Sequence, residues 1–152
     1  MSNRLLSILN KVTNVMGRPL TAVELKDSIQ RAQAAEQHYL RTGDLAALDA
    51  AAEGWSDVLD SPDLNAAEQQ FQMAILNDAG GVFRRRYRVC GQIEDLTRAI
   101  EYWQQAVEAT PEGSLDLPAR LNNLGNGLRD RYAQLGQVAD VEEALRSEAR
   151  AV

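Results

Sequence analysis

The sequence predicts an all-α fold built as a solenoid of helix pairs. Three observations predict it. Leu96–Pro111 reads as an amphipathic helix, with small residues at Ala99 and Ala106, Trp103 between them and a proline at its end. The stretch recurs: 48 residues earlier, Leu48, Ala51, Trp55 and Val58 answer Leu96, Ala99, Trp103 and Ala106. It begins again 45 residues later, where Val141, Ala144 and Leu145 answer Leu96, Ala99 and Ile100. A recurring period of this size marks stacked units, none able to bury its apolar face alone. Finally, apolar and polar residues nowhere alternate at strand spacing for long.

Seven helices follow from the punctuation. Asn3–Met16 is the first, because Leu5, Leu6, Ile8, Leu9, Val12, Val15 and Met16 fall on one stripe and Gly17-Arg18-Pro19 stops it. Thr21 with Glu24 makes a capping box that opens a helix to about Leu40, broken by Thr42-Gly43-Asp44. Leu45–Leu59 is next, ended by Asp60-Ser61-Pro62-Asp63. Asn65 with Glu68 repeats the capping-box spacing and starts a long helix to about Val89, closed by Gly91. Ile93–Ala109 follows. Pro118 fits the first turn of a helix to about Gln134, Gly136 ends it, and Val138–Ala151 is last. Residues 1–20 are thus an N-terminal amphipathic helix and 21–152 the repeat domain, with units near 21–62, 63–111 and 114–152.

The helices that precede the tryptophan stretch repeat too. Leu76-Asn77-Asp78-Ala79-Gly80 aligns with Leu121-Asn122-Asn123-Leu124-Gly125, and Tyr39, Tyr87 and Tyr132 stand before the turn glycines Gly43, Gly91 and Gly136. Glycine inside a helix costs about 1 kcal/mol relative to alanine. Finding it at both Gly80 and Gly125 predicts a close helix crossing in each copy.

Charge narrows the partners. The net charge is −6, but residues 1–23 carry Arg4, Lys11 and Arg18 and no acid, so the remainder is at −9. Such an acidic body argues against nucleic acid. The single cysteine, Cys90, excludes an intrachain disulfide and agrees with a reducing, cytoplasmic setting. No run approaches the ~20 apolar residues of a membrane span. The basic N-terminus resembles a targeting peptide in composition, yet Asn10 and Lys11 interrupt it and no small-residue cleavage site follows. A packed terminal helix is expected, with self-association through its stripe as a further expectation.

Asn123-Leu124-Gly125-Asn126, and Ala99, Trp103, Ala106 and Pro111 at their spacing, resemble the tetratricopeptide repeat (TPR). The period of 45–48 exceeds that family's ~34 residues. The extended form, LNNLGNGLRDRYAQLGQVADVEEAL with AVEATPEG, resembles the repeats that accompany caspase-like CHAT protease domains. The likeness covers roughly residues 30–146 and is weakest in the last helix, where Glu148 falls at the tryptophan position. It implies a right-handed array and a non-enzymatic scaffold whose first helices line a concave groove for a peptide or partner protein. The alternative it implies is a regulatory segment acting on a caspase-like protease domain. Carried over by position, Asn77, Arg84, Asn122, Asn126 and Arg129 face that groove. An asparagine amide both donates and accepts, which suits a peptide backbone.

The remaining chemistry is thin. Arg84, Arg85, Arg86 and Arg88 form either an anion-binding patch or a set of helix-end cations paired with nearby carboxylates. His38 and Cys90 are spaced like a caspase dyad. However, His38 takes the repeat position of Arg86, a helix exterior, and Cys90 that of Leu135. Cys90 is therefore expected as a buried structural thiol, and no catalytic site is expected. One histidine and one cysteine cannot make a zinc ligand set, no nucleotide-binding loop is present, and no cofactor is expected. Glu94-Asp95 and Glu142-Glu143 read as charges that complement helix dipoles.

Overall fold

A computed structural model describes residues 22–152. Among them are seven helices and no strand: α1 (Ala22–Thr42), α2 (Leu45–Leu59), α3 (Pro62–Asn65), α4 (Gln69–Cys90), α5 (Ile93–Glu108), α6 (Leu117–Leu135) and α7 (Val138–Ala151). The expected helix Asn3–Met16 and the Thr21 cap lie outside the described residues. The short α3 was not expected. Ser61 caps it, its hydroxyl accepting from the Asp63 N–H, and Pro62 supplies the first turn. That separate turn moves the start of the long helix from Asn65 to Gln69, so the Asn65–Glu68 spacing makes no capping box.

The turn glycines do what their positions require. Gly43, Gly91 and Gly136 adopt φ of 71°, 76° and 68°, and each N–H bonds the tyrosine carbonyl four residues back at 2.7 Å. Only glycine takes this left-handed conformation without cost, so all three long helices end alike.

The chain forms two compact units, divided between Gln72 and Met73. In the first, the two-residue link Gly43–Asp44 folds α2 back against α1 as a helical hairpin. The helices touch through small residues: a Cβ added at Gly54 would lie 3.0 Å from the Ala32 Cβ. Leu48, Ala51, Trp55 and Val58 are buried along α2, the stripe that the repeat predicted.

The second unit repeats the hairpin twice. Trp103 lies buried between two helices at glycine positions. A Cβ at Gly80 would come within 2.5 Å of Trp103 Nε1, and one at Gly127 within 2.9 Å of its ring. The indole N–H donates to the Asn77 carbonyl at 3.1 Å, so the largest side chain of the unit is buried with its polar atom satisfied. Gly125 behaves differently from expectation. A Cβ there would meet the Ala144 carbonyl and Glu148 only at 3.6 Å and beyond, ordinary contact, because Glu148 replaces the tryptophan that crowds Gly80.

Candidate functional site

Equivalent ion pairs set the geometry of the second unit. Arg86 grips Asp95 through two hydrogen bonds of 2.7 and 2.6 Å, and Arg131 grips Asp140 through two of 2.9 and 2.7 Å. Each joins the last turns of one helix to the first turn of the next across a glycine turn. Both carboxylates are buried. Hydrogen bonding to Asp140 holds the Arg131 guanidinium charged above its ordinary range, against the opposing effect of burial. Asp95 therefore does more than complement a helix dipole.

Further bonds align α4 with α6. Asn123 Nδ2 donates to Asn77 Oδ1 at 2.9 Å, Arg84 Nε donates to Asp130 Oδ2 at 2.7 Å, and Arg120 approaches Met73 Sδ at 3.6 Å. The sequence separations are 46, 46 and 47 residues. A constant offset means that the two helices run parallel, with equivalent faces side by side. Buried Arg120 also donates to Thr110 Oγ1 at 2.5 Å and reaches Asp116 at 3.3 Å, which ties the α5–α6 loop to the unit.

The six expected partner-binding residues divide. Asn77 and Arg84 are half-buried and bonded to α6 as above. Asn126 accepts from Arg129 Nη2 at 3.1 Å, and Arg129 also pairs with Glu148 of α7. Asn122 is exposed, and its side-chain amide bonds no other described residue. Arg85 is half-buried and has an interaction of its own. In the wider arginine cluster, Arg88 Nη2 stands 3.5 Å from the same Asp130 oxygen that Arg84 holds, so three of the four cations face carboxylates of neighbouring helices. Around this surface Arg84, Arg88 and Arg129 share two carboxylates, Asp130 and Glu148.

Sequence reasoning passed over Asn123, which faces Asn77 in place of Asn122. The repeat aligned them at 45 residues, whereas packing pairs them at 46. The bond leaves Asn77 Nδ2 and Asn123 Oδ1 without described partners, a donor and an acceptor side by side on half-exposed residues. That is the pair of functions that a peptide group in an extended chain requires.

His38 and Cys90 sit apart from this surface. His38 is exposed, 3.6 Å from Asp44. Cys90 is exposed as well, which corrects the expectation of a buried thiol: it is the last residue of α4, where the helix turns outward into Gly91. Among the described residues no group of three or more histidines, cysteines or carboxylates could hold a metal ion, and no helix is long and apolar enough to cross a membrane.

These features define a class, an all-α protein of repeated helical hairpins. No protein-family model matches the chain, and no curated protein or solved structure matches it either.

Proposed function

We propose that the protein is a non-enzymatic, TPR-like interaction scaffold that binds an extended peptide segment across α4 and α6. The observation that carries the reading is the parallel alignment of those helices with the unsatisfied donor and acceptor of the Asn77–Asn123 pair exposed on it. Asn122 and Asn126 extend the amide row along α6. The cationic end at Arg84, Arg88 and Arg129 has one more guanidinium than its two carboxylates neutralise, which favours a carboxylate of the partner. A caspase-like protease domain is one partner to which the repeat resemblance points.

The test uses a peptide array in which each random sequence is present with a free and with an amidated C-terminus. Binding that favours the free carboxylate and is weakened by Asn122→Ala and Arg129→Ala, with the melting temperature nearly unchanged, supports the reading. Each lost contact should cost about 1–3 kcal/mol of binding, the charged one most. Normal binding by both variants, or an array without hits, sinks it.

A further inference from the structure

The repeat gives α1 and α2 a second surface whose occupant can be inferred. In the second unit, α6 and α7 carry α5 on one face. Gly127 admits Trp103 and Ile100, and α5 shares with α6 and α7 a cleft of about 280 Å³ lined by Val107, Leu124, Ser147 and Arg150. The Tyr-x3-Gly turns place α1 and α2 at the positions of α6 and α7, 93 residues earlier. Gly127, Ser147 and Arg150 then correspond to Ala34, Gly54 and Asp57. The matching cleft in the first unit is lined by α1 and α2 alone, by Ala32, Ala35, Ala50 and Gly54 with Arg31, Glu53 and Asp57 beside them. Ala34 and Ala50 are exposed there.

The buried positions of α5 are Leu96, Ala99, Ile100, Trp103, Ala106 and Val107. Ninety-one residues earlier the sequence reads Leu5, Ile8, Leu9, Val12, Val15 and Met16, apolar at all six. Side-chain sizes are exchanged between the two sides. Where α6 offers Leu121 and Leu128, α1 offers Ser28 and Ala35; where α5 has Ala99 and Ala106, the N-terminal sequence has Ile8 and Val15. Large against small on each side fills the same space. Charge agrees, since Asp27, Glu53 and Asp57 border a face whose partner sequence holds Arg4, Lys11 and Arg18 and no acid.

We propose that residues 5–16 dock on this face of α1 and α2, in the register in which α5 docks on α6 and α7. The segment joins directly to α1, so its tether is two residues shorter than the α5–α6 connection. Val12 then lies against Ala34, Thr13 near Ala50, and Arg18 beside Asp27. This assignment is independent of the peptide surface on α4 and α6.

Thiol labelling of the full chain tests it. With Cys90→Ser as background, the thiol introduced by Ala34→Cys should react about tenfold more slowly than that from Gln33→Cys, which points off the face. Adding Val12→Asp should restore fast reaction at position 34 and leave position 33 unchanged. Ala50→Cys gives an independent reading on α2. Equal reactivity at 33 and 34, or protection that survives Val12→Asp, overturns the proposal. Protection lost on dilution assigns the face to a second copy and overturns it too.

Discussion

The two units close their helical hairpins by different means. In the second unit a guanidinium and a buried carboxylate clamp each glycine turn, Arg86 to Asp95 and Arg131 to Asp140. The first unit has His38 and Ala47 at those positions, and its histidine instead lies near the exposed Asp44. It closes through contact of Ala32 with Gly54. The tryptophans differ in the same sense. Both are buried, but Trp103 donates to Asn77 whereas Trp55 Nε1 has no partner among the described residues. A shared turn and a shared apolar stripe therefore suffice for the hairpin, and polar bonds are added where helices must also hold a register.

The largest test of this contrast is the tryptophan pair. Trp103→Ala should cost on the order of 3–5 kcal/mol through lost burial and a cavity, and Trp55→Ala a similar amount. Phenylalanine separates them. Trp103→Phe leaves the Asn77 carbonyl to find a new partner and should cost about 1 kcal/mol more than Trp55→Phe, which strands nothing. Equal losses in urea titrations would mean that the Trp103 bond adds no stability.

Next come the glycines, where opposite signs are expected. Gly80→Ala drives a methyl into the Trp103 ring, and overpacking of about 1–3 kcal/mol outweighs the ~1 kcal/mol gained in helix propensity. At Gly125 the space is open, so Gly125→Ala should keep the propensity gain and raise the melting temperature. Destabilisation by both would show that Glu148 packs as tightly as a tryptophan.

The clamps should follow. Asp95→Asn weakens two charge-assisted bonds at a buried carboxylate and should cost about 1.5–3 kcal/mol. Asp44→Asn, at a half-exposed contact with His38, should stay below about 1 kcal/mol. A similar loss from both in thermal melts would remove the distinction between the two kinds of turn.

Much of the fold was legible in the sequence because it rests on local chemistry. Left-handed glycines ended the long helices, and the tryptophan stripe marked the buried faces. Features missed were those in which a second helix decides. The α3 turn looked like a loop, since Ser61-Pro62-Asp63 signals a stop as readily as a start. Gly127 went unnoticed because its counterpart in α4 is Val82, so no repetition flagged it. The Arg–Asp clamps had a visible signal, an arginine nine residues before an aspartate in two copies 45 residues apart, but the arginine run hid the one that mattered. Of the candidate surface, sequence located the asparagine row and mistook which amide faces Asn77. Repeat arithmetic gives equivalent positions, whereas contact between parallel helices is offset by a residue.

The smallest expected effect concerns Asp63, buried in α3 of the first unit. Its carboxylate has one oxygen near the Ser61 hydroxyl at 3.4 Å and the other, Oδ1, without a partner. Burial raises its pKa above the ordinary 3.8, and the Ser61 bond opposes this only in part. In the unfolded chain the group loses its proton near 3.8; in the folded chain it does so at higher pH. Between these values the folded state holds the extra proton, so stability falls as pH rises through the window, and the loss persists above it. This is opposite in sign to a carboxylate held in an ion pair. Asp63→Asn removes the buried charge while keeping the shape, and should stabilise the chain by about 1 kcal/mol at neutral pH. The gain should shrink towards zero near about pH 3, where Asp63 is itself neutral. Melting temperatures of the two proteins measured from neutral to acid pH decide it. A constant difference across that range would assign the effect to packing, and a loss at neutral pH would mean that the ionised carboxylate is stabilised where it stands.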